Sequence, residues 1–231
     1  MPTRKVPHIE LTSYERQRCA VLTGDIVSSS KLTPVQRGRV PGIIHRASKE
    51  LRSFLRGTMP LGVDVFRGDS WQMLLVTPSR ALRAALFFRA WLRSSSPSVD
   101  TRIAIGIGAV GYQSMIRVSE GHGEAFDLSG RTLEGMVKLP RMRFNCADVS
   151  RQRVWDATVG LIDNIIIQQW TPPRAQALTG ALRSWRQGQI TTLWGGRGIA
   201  QSSVSEFLSK AGWGAVKTAL DAFEMEWRDA K

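Results

Sequence analysis

Two hydrophobic periods alternate along this chain, and the switches between them mark out its elements. Residues 18–24 (RCAVLTG) form a short apolar strand, and from 33 to 56 the residues Val40, Ile43, Ile44, Leu51 and Leu55 recur at helical spacing. Residues 62–67 and 70–76 read as two strands, with Gly68-Asp69 as a tight hairpin turn between them. Pro78, at a first helical position, opens an amphipathic helix over 79–94. Residues 101–110 (TRIAIGIGAV) form a buried strand whose glycines permit close backbone approach. A loop rich in glycine and serine, 111–124, leads to a helix at about 128–139, and 142–149 reads as a further strand. The order β-α-ββ-α-β-α-β predicts an α+β sandwich, one sheet with helices packed on it. Two strands back to back exclude a doubly wound fold.

Beyond residue 150 the pattern changes. Residues 153–169 carry helical spacing, although LIDNIIIQQW is β-branched enough to leave a strand open. Thr171-Pro172-Pro173 then breaks the chain, and 174–231 reads as helices separated by turns at Gly188, Gly195-Gly196, Gly198, Gly212 and Gly214. The expected organisation is an α+β domain over 18–150, a linker helix over 151–173, and a small all-α domain over 174–231.

Composition sets the class of partner. The 231 residues are 42% hydrophobic and 22% charged, enough apolar content for a real core. No run approaches a membrane span and the first residues lack an apolar signal core, so a cytoplasmic protein without membrane contact is expected. Cys19 and Cys146 each fall in a strand and are expected to be reduced core thiols. The net charge of +13 implies an anionic partner. Residues 1–170 hold 24 Lys/Arg against 14 Asp/Glu and residues 171–231 hold 8 against 5, with an arginine string at Arg80, Arg83, Arg89, Arg93 and Arg102. Solvated charged faces in an arginine-rich protein would give the same count. The three histidines show no zinc spacing with either cysteine.

The chemistry concentrates in two Gly-Asp steps, Gly24-Asp25 in VLTGDIVSSSKL and Gly68-Asp69 in VDVFRGDSWQMLLV, each at the end of an apolar run. Two aspartates at the mouth of one sheet can hold a divalent cation against a triphosphate; alternatively Asp25 caps a helix and Asp69 is a turn residue. Ser28 and Ser29 either line a phosphate site or cap the next helix. Arg67 and Arg131 are candidates for phosphate contact.

VLTGDIVSSSKL resembles the first strand and metal loop of class III nucleotidyl cyclases, VFRGDSWQMLL their Gly-Asp hairpin, and RIAIGIGAVG their Arg-x-Gly strand. AFDLSGRTLEGMVK lies where they carry their third-helix motif. The order and spacing agree over about residues 18–150, and the chain also resembles the SatD family, a cyclase-type domain followed by a helix-turn-helix. The resemblance implies a ferredoxin-like, nucleotidyl-cyclase-like sandwich. It makes Asp25, Asp69 and the carbonyl of Ile26 ligands of Mg²⁺ or Mn²⁺, and ATP or GTP the bound nucleotide. It places Asp127 at the base-reading position, Glu134 at that of the transition-state Asn and Lys138 at that of the transition-state Arg, and implies a homodimer. Val65 stands where a base-reading Lys is expected, lysine lacks the fork of arginine, and glutamate repels a triphosphate unless it pairs with Lys138 at i+4. These departures leave open whether the domain turns a nucleotide over, as a cyclase or nucleotidyl transferase, or only binds it.

In the tail, QSSVSEFLSKAG has the pattern of a recognition helix. Ser202 is placed to cap it, Val204, Phe207 and Leu208 face inward, and Gln201, Ser203, Ser205, Glu206 and Lys210 lie outward. Gln201, Ser202, Ser203, Ser205 and Lys210 are thus candidate contacts to double-stranded DNA. The expected function is a regulator that couples a nucleotide pocket to DNA binding. Alternatively the α+β domain only dimerises and the tail alone binds DNA, or the tail is a bundle used for dimerisation or packing.

Overall fold

The computed structural model describes residues 18–228 except 67, 113 and 197, so the N-terminal segment and Arg67 lie outside the described residues. Among the described residues five strands form one sheet in the order β2-β3-β1-β4-β5: β1 Arg18–Ile26, β2 Asp64–Phe66, β3 Ser70–Leu75, β4 Thr101–Ala109 and β5 Met142–Cys146. β1 runs antiparallel to both β3 and β4, β2 is antiparallel to β3, and β5 is parallel to β4. With helices α1 (Pro34–Phe54) and α2 (Ala81–Ser94), the first four strands make a ferredoxin-like β-α-ββ-α-β unit. Helix α3 (Glu124–Glu134) is the crossover that lets β5 join in parallel.

β1 is covered on both faces, which is why it reads as one apolar run. Ala20, Leu22 and Ile26 enter the large core with α1 and α2, whereas Cys19 and Val21 pack with Ala125 and Phe126 of α3. Gly106 lets α3 lie directly on β4. A Cβ there would sit 2.5 Å from the Ala125 carbonyl oxygen and 2.6 Å from the Ser129 nitrogen. Both cysteines are buried thiols outside any disulfide, and burial pushes the Cys19 thiol up to about 11.

Three elements differ from the sequence expectation. The hairpin turn has three residues, with Phe66 facing Ser70 across it and Gly68 at φ +83°. Helix α3 spans 124–134 where 128–139 was expected. Burial of Ala125 and Phe126 brings the first turn into the helix, and Pro140 disfavours helical geometry at the residue before it. Residues 135–141 therefore form a loop, and Lys138 is not one helical turn beyond Glu134. Helix α2 has no exposed residue: most of it is buried, Arg89 included, and Arg83, Trp91, Arg93 and Ser94 are half-buried.

That cover comes from the tail. Residues 149–169 are helical (α4), capped by Asp148, whose carboxylate accepts from the Ser150 and Arg151 amides. They are followed by α5 Pro172–Ala181, α6 Gln187–Ile190, a 3-10 turn at Thr191–Trp194, α7 Gln201–Lys210 and α8 Trp213–Glu226. Leu178 of α5, Val204 of α7 and Phe223 of α8 belong to the same apolar core as α2 and the sheet. Phe223 stands edge-on to Trp155 of α4 and Phe144 of β5. The tail is thus joined to the sheet through α2 and α4 by continuous packing.

A buried charge cluster closes this seam. Arg89 bonds Asp100 through Nε at 2.7 Å and Nη2 at 2.9 Å, and also bonds Asp163 of α4. Asp100 further accepts from Arg93 and Arg141, each at 2.8 Å. Burial pushes the Asp100 carboxyl up, but the Arg89, Arg93 and Arg141 guanidinium groups outweigh it and hold the group well below the usual carboxylate range.

Candidate functional site

The two Gly-Asp steps need their glycines for different reasons. At Gly24 the cause is contact: a Cβ would lie 2.3 Å from the Arg102 carbonyl oxygen and 2.4 Å from the Trp71 ring. The Trp71 indole covers this point and donates to Thr101 Oγ1 at 2.9 Å, and that hydroxyl donates to the Asp25 carbonyl at 2.6 Å. At Gly68 the space is open and the left-handed φ is the cause. The Ile26 amide donates to the Asp69 carbonyl at 3.1 Å, which ties the hairpin turn to the end of β1. Both aspartates are thereby fixed at one end of the sheet.

After Ile26 the chain turns sharply. Val27 donates to the Asp100 carbonyl at 2.8 Å, Ser28 takes a left-handed conformation at φ 56°, and Ser29–Lys31 form a 3-10 turn. Helix α1 then starts with its own capping box of Thr33 and Gln36. Ser28 and Ser29 therefore do not cap α1, and Asp25 lies within β1 and caps no helix. The Ser29 hydroxyl donates to Asp69 Oδ2 at 2.5 Å.

Asp25, Ile26, Ser28, Ser29 and Asp69 line one open cleft of about 1190 Å³ together with Lys31, Arg102, Lys138 and Arg141. Asp25 stands opposite Arg102 in the β1–β4 register and takes a two-pronged ion pair from it, Nε to Oδ1 at 2.9 Å and Nη2 to Oδ2 at 2.5 Å. The hydrogen bond to Asp25 raises the Arg102 pKa above its ordinary value. Arg102 also donates to the Met136 carbonyl at 2.5 Å, which anchors the loop carrying Lys138. Lys138 thus reaches the cleft of the Asp25 in its own chain. Among the described residues no group of three or more His, Cys, Asp or Glu side chains gathers to hold a metal. Two carboxylates are nevertheless what Mg²⁺ takes from protein when phosphates and water supply the rest, so Asp25 and Asp69 fit a cation delivered with a nucleotide.

The remaining third-helix residues lie elsewhere. Asp127, Arg131 and Glu134 are exposed on α3 and do not line the cleft. His122 stacks on Tyr112 at 5.4 Å. In the tail, the residue capping α7 is Ala200, and Ser202 lies in the first turn. Val204 and Leu208 are buried and Phe207 half-buried against Trp194. Gln201, Ser202, Ser205 and Lys210 are exposed and Ser203 is half-buried. Gln201 and Ser205 line a groove of about 720 Å³ against α6 and α8, and Lys210 pairs with Glu206 at 2.6 Å. The sequence reading missed Arg102 and Arg141 as cleft residues. The register of β1 on β4 identifies the first, and no local pattern marks the second.

No family model matches the chain, and no curated protein matches it. Among solved structures, a bacterial light-regulated adenylyl cyclase aligns with 55% of this chain at 16% identity and a TM-score of 0.39. The chain spans 42% of that cyclase. A likeness at this level carries no weight for the site. Among the described residues no helix is long and apolar enough to cross a membrane.

Proposed function

We propose that the cleft at the end of β1 binds a nucleoside triphosphate, ATP or GTP, together with Mg²⁺ or Mn²⁺. The observation that carries this reading is the meeting of Asp25 and Asp69 with Lys31, Lys138 and Arg141 in one open cleft. Asp25, the Ile26 carbonyl and Asp69 would hold the cation, which when bound would supply Lewis-acid chemistry to the phosphates. The chain's own groups have separate tasks. Arg102 orients Asp25, the Ser29 hydroxyl orients Asp69, and Lys31, Lys138 and Arg141 neutralise phosphate charge. Within this reading the protein is a SatD-like, homodimeric regulator whose nucleotide pocket acts on a DNA-binding tail through the shared core of α2, α4 and α7, with cyclase activity divergent or lost.

Calorimetric titration tests it. ATP or GTP should bind in the presence of Mg²⁺ or Mn²⁺, and the metal alone should give only its heat of dilution. Absence of nucleotide binding under all four pairings, or binding indifferent to chelation by EDTA, would contradict the proposal.

A further inference from the structure

The positive charge of the chain is distributed unevenly once its ion pairs are assigned. Every member of the arginine string is committed internally: Arg80 and Arg83 to Glu224, Arg89 and Arg93 to Asp100, and Arg102 to Asp25. Lys210 and Lys217 of the tail are also paired. Helix α1 is different. It carries Arg37, Arg39, Arg46, Lys49 and Arg52 against a single acid, Glu50, and Glu50 is taken by Arg183 at 2.7 Å. Arg39, Arg46, Lys49 and Arg52 are exposed, and none of them makes an ion pair with a described residue.

We propose that the outer face of α1 binds the phosphate backbone of duplex DNA, independently of the nucleotide cleft and of α7. Val40, Ile43, Ile44, Ala47 and Leu51 fix the other face of the helix in the protein core. That leaves no apolar face to enter a lipid surface, as an interfacial helix requires. The arginine and lysine side chains of the outer face meet phosphate oxygens, contacts that carry no sequence information, so binding is independent of sequence. At 1.5 Å per residue, Arg39 and Arg46 are separated by about 10 Å along the axis. This is close to the width of the B-form major groove, about 12 Å, so Arg39 and Arg46 can engage phosphates on both of its sides. The narrow major groove of A-form RNA does not offer that spacing.

The test is fluorescence anisotropy of the full chain with two unrelated labelled DNA duplexes over a salt series. The quadruple variant Arg39→Gln/Arg46→Gln/Lys49→Gln/Arg52→Gln is compared with Gln201→Ala/Ser205→Ala/Lys210→Gln in α7, and circular dichroism melting confirms that both fold. The wild type should bind both duplexes alike. The α1 variant should weaken both and lower the slope of log K against log salt by about 3 to 4, close to one unit for each phosphate contact removed. An unchanged slope in the α1 variant would overturn the proposal. So would absence of DNA binding by the wild type, loss of binding in the α7 variant alone, stronger binding to duplex RNA, or α1-dependent binding to phosphatidylserine vesicles in place of DNA.

Discussion

Asp25 and Asp100 show how the same side chain takes different work from its surroundings. Asp25 is half-buried at a cleft and shares one arginine, whereas Asp100 is buried and shared among three. Removing the charge at Asp100 leaves Arg89 short of its compensation, so Asp100→Asn should cost about 3–5 kcal/mol in urea unfolding at neutral pH. Because the folded carboxyl lies below its unfolded value, its contribution is complete above about pH 4 and is lost as pH falls toward the folded value. The gap in stability between wild type and Asp100→Asn should therefore narrow in acid. Two glycines of one neighbourhood make a second contrast. Gly106→Ala forces a Cβ onto the backbone of α3 and should destabilise by about 1–3 kcal/mol. Gly130 lies within α3 with open space around its Cβ position, so Gly130→Ala should stabilise by about 0.5–1 kcal/mol. Thermal unfolding of the two variants distinguishes them by sign.

Elements divide by how much tertiary contact shapes them. β1, β4 and α1 are legible in the sequence because their periodicity is long and their burial pattern simple, whereas the β-branched run of α4 leaves a strand open until its packing is seen. Helix α2 is legible as a helix but not as one without an exposed residue, since its outer cover comes from α5 and α8, about a hundred residues away in the chain. Helix α3 begins inside a segment that reads as a loop, because the contact of Ala125 and Phe126 with the sheet decides its start. The same distinction governs the site. Asp25 and Asp69 can be picked out as acids at strand ends, but the pairing of Asp25 with Arg102 depends on a cross-strand register. The placement of Lys138 depends on α3 ending at Glu134. As a loop residue at the cleft, Lys138 can be removed without disturbing a helix. Lys138→Ala should raise the nucleotide Kd about tenfold or more, as expected for a charge-assisted bond of about 1.5–3 kcal/mol, and leave the melting temperature of the free protein unchanged.

At the scale of the whole molecule, the net charge of +13 conceals two populations of cations. One is internal and joins α2, β4, α4 and α8 into a single packed body; the other is exposed, with Arg39, Arg46, Lys49 and Arg52 gathered on α1 and Lys31, Arg56, Arg131, Lys138, Arg153 and Arg186 scattered elsewhere. A charge count along the sequence sees their sum and cannot separate them. The nucleotide cleft lies beside both, since its turn leads directly into α1 and its Arg141 is held by Asp100. Ligand-induced stabilisation reads occupancy of that cleft directly. With ATP or GTP at about 100 times its Kd and Mn²⁺ or Mg²⁺ present, the wild type should gain about 2.7 kcal/mol, read as a rise in melting temperature. Asp25→Ala and Asp69→Ala should each remove that rise. If the wild type melts at the same temperature with and without the metal and nucleotide, or if both variants retain the full rise, the assignment of the cleft is wrong.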